Sequence, residues 1–371
     1  MTRRRVAVLF GGRSAEHEIS CLSARSVIDA LDPGRDEVVP IGITREGVWR
    51  LMSGPPSLPG ETGRMPEVAE GAGAPVELAG EGGSHALVAG DGSRHPIDVA
   101  FPVLHGPYGE DGSIQGLLEL ADVPYVGAGV LGSALGMDKA VQKRLLREAD
   151  VPVVRFQEVR APEWREDPEG VSARAQDLGY PLFSKPATLG SSVGVRRVDR
   201  PDSLPSALEE AFRYGRKAVL EAAVVGAREI EVAVLGNDDP VASVPGEIVP
   251  EGHAFYDYDA KYLDEHGATL VVPADLGPDV VDELQRLAIT VFRVIECAGM
   301  GRVDFFLTVD GRPIVNEINT IPGFTPISMY PKLWAASGLA YPDLVSRLLE
   351  LAVERHAAEA RSTGVRELDG S

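Results

Sequence analysis

The chain has 371 residues, which at roughly 150 residues per domain allows two to three domains, and its composition is that of an ordinary soluble globular protein. With 36 basic against 56 acidic residues the formal net charge is −20, and the basic residues form no block longer than Arg3-Arg4-Arg5, which argues against nucleic acid or an anionic membrane surface as partner. No apolar run approaches the roughly 20 residues of a membrane span, and residues 6–10 are too short for a signal region, so the expected location is the cytoplasm.

Residues 5–10 read as a buried strand, followed by Gly11-Gly12-Arg13-Ser14 and a helix over 15–31 with Ser14 as its N-cap. This is the strand, glycine turn and helix of a doubly wound α/β unit, and it lacks the later glycines of a dinucleotide fingerprint. Glu16 fits two roles in the first helical turn, a complement to the helix dipole or an anchor for a substrate ammonium. Strands are expected over 38–44 and 47–51. Residues 52–95, crowded with Gly, Pro, Ala and Ser, read as a surface excursion with at most two short extended pieces.

A buried strand over 97–104 opens into His105-Gly106-Pro107-Tyr108-Gly109-Glu110-Asp111-Gly112-Ser113, and a helix follows over 114–120. A loop this rich in glycine at the end of such a strand lies where open α/β sheets bind ligands, and His105 either contacts substrate or caps the loop. One helix is predicted over 132–149, carrying Lys139 and Lys143, then extended chain over 152–159, an acidic loop, and a helix ending at Gly179. Residues 182–186 form a strand bearing Lys185, which precedes Thr188-Leu189-Gly190-Ser191-Ser192-Val193-Gly194. A Walker loop would place its lysine after the glycines; here the Gly/Ser loop can fold over phosphates while Lys185 contacts them. An ordinary hairpin loop is the alternative.

Strands are predicted over 218–221 and 228–235, with Glu221 and Glu229 flanking a short apolar stretch. Residues 251–272 read as a long functional loop and 279–297 as an amphipathic helix. Lysine is scarce: Lys139, Lys143, Lys185, Lys217, Lys261 and Lys332 are six of the 36 basic residues, the other thirty being arginine. A retained lysine points to a need for a compact ammonium that meets phosphate as a point charge.

Asp310-Gly311, between two alternating apolar runs, predicts a two-residue hairpin turn. Residue numbers then pair to a constant sum, which sets Asp304 opposite Glu317 and Arg302 opposite Asn319. Alternation puts Val303, Phe305, Leu307, Ile314 and Ile318 on a core face, and Arg302, Asp304, Phe306, Val315, Glu317 and Asn319 on the other. Two acids directly opposite repel unless positive charge lies between them. Either this is a solvated hairpin face, or its hard oxygen donors hold a divalent cation such as Mg²⁺.

Taken together, residues 11–20, 105–116, 137–139, 184–194, 221–236, 256–263 and 301–329 resemble the ATP-grasp ligases, and within them the D-alanine:D-alanine ligase family. The resemblance implies an α/β protein of ATP-grasp fold. Its N-terminal doubly wound α/β domain would be 1–136, including the 52–95 excursion. Central and C-terminal α+β domains, 137–222 with a phosphate lid loop and 223–371 with an omega loop over 251–272 and a metal site, would enclose the nucleotide. It further implies ATP as substrate, two Mg²⁺ or Mn²⁺, D-alanine as the other substrate and a homodimer. Carried over by position, Lys139, Lys185, Ser192, Glu221, Val224, Glu229 and Lys261 contact ATP, and Asp304, Glu317 and Asn319 hold metal. Glu16, Ser191 and Tyr262 form the first-substrate anchor, Arg302 and the Gly323 N–H stabilise the oxyanion, and His105, Ser328 and Met329 bind substrate. Tyr262, where ester-forming relatives carry histidine, favours a dipeptide product. The rival readings are a non-catalytic nucleotide-binding protein and a dehydrogenase. The first would not require Arg302, Gly323 and Glu16 beside the metal ligands, and the second lacks its glycines.

Overall fold

A computed structural model describes residues 3–58, 64–81, 84–250 and 268–362. Its strands form three sheets. The first contains β1 (Arg4–Gly11), β2 (Asp36–Ile43), β3 (Trp49–Leu51), β4 (Ala74–Glu81), β5 (Ser84–Ala89), β6 (Arg94–Pro96) and β7 (Val99–Pro102), in the order β6-β5-β4-β3-β2-β1-β7. β1 runs parallel to both β2 and β7, and antiparallel pairs extend the sheet from β2 outwards. Val6 to Phe10 are all buried, as expected of a strand covered on both faces.

The 52–95 segment is therefore more than a surface excursion. Its second half supplies three strands, and Val76, Leu87 and Ala89 join a core with Leu9, Ile41 and Ala100. Strand pairing and burial outweigh the local turn-like composition, which a single antiparallel edge tolerates well.

The helix α1 (His17–Ala30) starts two residues later than expected, with Glu16 at the N-cap position. Ser14 Oγ instead accepts from the Glu16 N–H at 3.0 Å, stabilising the approach to the helix rather than the helix itself. After α2 (Ser113–Leu120), the single helix expected over 132–149 is two helices, α3 (Val130–Met137) and α4 (Lys139–Glu148). The break falls at Asp138, whose extended backbone caps α4 and whose carboxylate accepts from the N–H groups of Ala140 and Val141, both at 3.1 Å.

The second sheet holds β8 (Phe156–Arg160), β9 (Leu182–Pro186), β10 (Arg196–Val198) and β11 (Lys217–Ala222), antiparallel throughout in the order β10-β9-β11-β8. The acidic loop expected after β8 contains the short helix α5 (Ala161–Glu166), followed by α6 (Pro168–Leu178). The unpredicted α7 (Leu204–Phe212) packs Leu204, Ala207, Leu208 and Ala211 beneath this sheet.

The third sheet runs β15-β14-β12-β16-β17, from β12 (Arg228–Gly236), β14 (Gly246–Pro250), β15 (Ala268–Val271), β16 (Gly299–Leu307) and β17 (Pro313–Asn319), with β13 (Val241–Ala242) paired to β12. The last residues of the expected 251–272 loop are thus a strand; its first seventeen, 251–267, lie outside the described residues. The helix α8 (Pro278–Val294), read from the sequence as an amphipathic helix over 279–297, buries Leu284, Leu287, Ala288, Val291 and Phe292 against this sheet. The chain closes with α9 (Met329–Ala336) and α10 (Tyr341–Ser362).

The β16–β17 hairpin pairs Asp304 with Glu317 and Arg302 with Asn319. Its turn differs from the two-residue one expected. Thr308 and Arg312 close a three-residue loop, with Thr308 N–H donating to Arg312 O at 3.0 Å, and in that loop only Gly311 adopts a left-handed backbone (φ 78°). Near the turn the register is accordingly one residue shifted, Phe305 facing Val315 and Phe306 facing Ile314. A bulge with Asn316 as the extra residue then restores the opposition of Asp304 and Glu317. The bulge also exchanges two side chains: Val315 is buried in the core and Ile314 is not, the reverse of strict alternation.

Candidate active site

Because β1 lies between β2 and β7, the chain leaves the sheet in opposite directions on either side of it, and a crevice opens at the C-terminal ends of β1 and β7. Glu16 and His105 meet there, both buried. His105 Nε2 lies 3.1 Å from Ser23 Oγ and its Nδ1 lies 3.3 Å from Ile321 O. Burial pulls the His105 pKa below its ordinary value despite nearby Glu16, which favours neutral imidazole. Gly106 has φ 78°, and a Cβ on it would lie 2.9 Å from Ser14 Oγ and 3.1 Å from Glu16 Oε2, so this turn excludes a side chain. Its N–H donates to Glu110 Oε2 at 2.6 Å. Burial, then Glu16, pushes the Glu110 carboxyl up to about 8. Sequence reasoning gave Glu110 no role, because its environment comes from residues distant in the chain.

In the second sheet, Lys185 on β9 donates to Glu221 Oε2 on neighbouring β11 at 2.7 Å, and Lys143 on α4 approaches Glu221 Oε1 at 3.2 Å. Burial alone would raise the Glu221 carboxyl; the two ammonium groups overrule it and bring it down to about 2. Lys139, one helical turn before Lys143, donates to Leu189 O at 2.9 Å and pairs with Glu317 at 2.8 Å. Burial would lower the Lys139 pKa, but Glu317 raises it overall. In the Gly/Ser loop, Ser191 and Ser192 hold left-handed backbones (φ 49° and 58°), a strained conformation for residues other than glycine. The Ser191 hydroxyl donates to Glu16.

On the cleft face of the third sheet, Glu231, Asp304 and Glu317 stand side by side on β12, β16 and β17. Arg302 donates to Asp304 through Nε at 2.7 Å and Nη2 at 2.8 Å, and its Nε lies 3.0 Å from Glu231. Asn319 Nδ2 donates to Asp304 Oδ2 at 3.0 Å. The sequence pattern assigns Glu231 no role, although its position two residues after Glu229 on one strand face is a signal for it. Val224 lies in the short connection between β11 and β12, beyond Glu221 and before Glu229. Gly323 sits against Ser328, where an added Cβ would lie 3.0 Å from Ser328 Oγ. Ser328 occupies the N-cap position of α9 without a side-chain capping bond, and Thr325 N–H donates to its hydroxyl at 3.2 Å. The Met329 side chain is buried in the core, so what this residue can offer the cleft is its N–H at the α9 N-terminus, a position that suits a carboxylate. Lys261 and Tyr262 lie outside the described residues.

Among the described residues no cluster of three or more His, Cys, Asp or Glu has metal-site geometry. Asp304, Glu317 and Asn319 are nevertheless cross-strand neighbours that carry hard oxygen donors, and Arg302 and Lys139 supply the positive charge that the opposed acids require. The residues fit a hard divalent cation.

Three sheets thus contribute to one cleft: a lysine-bearing antiparallel sheet with a Gly/Ser loop, a second antiparallel sheet with paired acids, and a parallel crevice between loops. That arrangement is the ATP-grasp ligase fold. The family descriptions "D-ala D-ala ligase N-terminus" and "D-ala D-ala ligase C-terminus" match residues 5–128 and 145–350. The chain is 48% identical to a D-alanine–D-alanine ligase of Paenarthrobacter aurescens over 95% of its own length and 96% of the relative's. It is also 48% identical to D-alanine–D-alanine ligase A of Chromobacterium violaceum, over 96% of both chains. Its structure superposes on a D-alanine–D-alanine ligase from Coxiella burnetii with a TM-score of 0.86 and 39% identity, covering 98% of this chain and 97% of the other. A D-Ala:D-Ser ligase from Enterococcus faecalis gives 0.81 and 32%, covering 95% and 100%. The chain belongs to the D-alanine–D-alanine ligase family.

Proposed function

We propose that the protein joins two D-alanines to D-alanyl-D-alanine at the expense of ATP, through a D-alanyl phosphate, as a step of peptidoglycan precursor synthesis. The supporting observation is the convergence of three sheets on one point. Ser191 of the Gly/Ser loop reaches Glu16 in the crevice, and Lys139, at the foot of that loop, reaches Glu317 beside Asp304. A carboxylate at Glu16 suits the ammonium of the first D-alanine, and neutral His105 beside it adds no competing positive charge. Lys139, Lys185 and Ser192 would hold the phosphates, and Glu221, Val224, Glu229 and Lys261 the rest of the nucleotide.

Asp304, Glu317 and Asn319 would hold two Mg²⁺ or Mn²⁺, which when bound neutralise the charge of the phosphoryl group in transfer. Arg302 and the Gly323 N–H are the donors for the oxyanion formed when the second amine attacks; one such donor is worth about 3 kcal/mol. Ser328 and the Met329 N–H take the second carboxylate. The loop at 188–194 excludes water from the acyl phosphate, which water would otherwise hydrolyse. Domain boundaries at residues 136 and 222 would assign one sheet to each domain.

The need for ATP argues for the cytoplasm. A homodimer is consistent with the exposed Leu117, Leu120 and Leu131 on neighbouring helices, and sedimentation would decide it. The activity is tested by incubating the protein with ATP, Mg²⁺ and D-alanine, with D-serine and D-lactate as competing second substrates. Phosphate release with D-alanyl-D-alanine as main product is the expected result; ATP hydrolysis without any ligation product overturns it.

A further inference from the structure

Nothing in the ligation chemistry above uses Lys143, yet its side chain is fully buried, at 0% exposure. A buried ammonium is costly unless it is paired and hydrogen-bonded. One partner is Glu221 Oε1 at 3.2 Å, but Lys185 already lies 2.7 Å from the other oxygen of that carboxylate. The other partner is the main-chain carbonyl of Asn316, at 2.6 Å.

Asn316 is the extra residue of the β17 bulge, and β17 is an edge strand. Val153 bridges this edge at Val315, and side chains of α4 reach the carbonyls beyond it. Gln142 Nε2 lies 3.5 Å from Ile318 O, Lys143 takes Asn316 O, and the Val315 N–H donates to Pro152 O at 2.8 Å on the same side. The bulge decides the register of everything beyond it. If the spacing that pairs Phe305 with Val315 continued without the bulge, Asn316 would face Asp304, and Glu317 would turn to the core face opposite Val303. We propose that Lys143 is a positioning residue: by binding the Asn316 carbonyl it fixes the bulge and so holds Glu317 and Asn319 on the cleft face beside Asp304.

This inference rests on the metal reading of Asp304, Glu317 and Asn319, and the test separates the two. ADP binding is measured by calorimetry with and without Mn²⁺, and Mn²⁺ occupancy by electron paramagnetic resonance, on the full chain and on Lys143→Met, which keeps the volume and removes the donor. In the unmodified protein Mn²⁺ should tighten ADP binding. In K143M that tightening should fall by about 10- to 100-fold, the usual effect of losing a group that orients metal ligands, while metal-free ADP binding stays close to the original. If K143M instead weakens metal-free ADP binding and keeps the Mn²⁺ enhancement, Lys143 serves Glu221 and the nucleotide, and the proposal is wrong. A loss of thermal stability with both binding constants intact overturns it equally. If the unmodified protein shows no Mn²⁺ enhancement, the metal assignment itself falls and this inference with it.

Should K143M fail to fold, the unmodified protein still decides. With its lysine side chains labelled with ¹⁵N, the Lys143 ammonium signal should be protected from exchange and should shift when Mg²⁺ joins the ADP complex. A signal indifferent to Mg²⁺ rejects the positioning role.

Discussion

Asp304 stands directly opposite Glu317 because two one-residue irregularities cancel: the hairpin loop is one residue longer than its Asp-Gly pair suggests, and the Asn316 bulge takes that residue back. The opposed acids pair with Arg302 on one side and Lys139 on the other. Any cation entering between them competes with these two side chains.

Replacing Glu317 with Gln removes one donor charge and leaves shape and register in place. Turnover with ATP, Mg²⁺ and D-alanine should fall by at least about 100-fold, since the stabilisation of the transferring phosphoryl group is worth several kcal/mol. Circular dichroism and the melting curve should stay close to the original. Near-normal turnover in folded E317Q would remove Glu317 from the metal site.

Glu221→Gln leaves the buried Lys143 and the half-buried Lys185 around a neutral amide. Breaking such a pair costs about 3 kcal/mol or more, read as a lower urea midpoint at neutral pH. The sign with pH is fixed by the depressed pKa: from an ordinary 4.5 to about 2 in the folded protein, the carboxylate stabilises above 4.5 and loses that contribution as pH falls towards 2. The stability gap between the original protein and E221Q should therefore narrow across that acid window. A gap that stays constant with pH would show that Glu221 is not the coupled group.

Glu110 behaves oppositely. Its carboxyl is raised from 4.5 to about 8, so the folded state keeps the proton longer than the unfolded one, and stability declines as pH rises through that interval. Glu110→Gln removes the titration. Its melting temperature relative to the original protein should rise between pH 5 and pH 8, and parallel curves would contradict the raised pKa.

We propose that Tyr262 carries the choice of second substrate. A tyrosine is neutral at physiological pH and does not repel an incoming ammonium, whereas an imidazolium does. Tyr262→His should shift product from D-alanyl-D-alanine towards D-alanyl-D-lactate most strongly near pH ~6, with recovery of dipeptide at higher pH. A product ratio that stays flat with pH would exclude this residue as the discriminator.

The sequence alone determined the periodic elements and the ordered motifs. The alternation of β16 and β17 put Arg302, Asp304, Glu317 and Asn319 on one face, and the scarcity of lysine drew attention to Lys139 and Lys185, because these signals are local or compositional. Tertiary structure decided what depends on contacts between distant residues. Sheet pairing made strands of residues 74–96 despite their turn-like composition, and the Asp138 cap split one helix into two. Burial beside Glu16 set the state of Glu110. The link from Ser191 to Glu16 spans 175 residues of sequence, and that from Lys143 to the Asn316 carbonyl spans 173. No local pattern encodes which backbone carbonyl a buried ammonium will meet, since that is fixed only when α4 docks along the edge of β17.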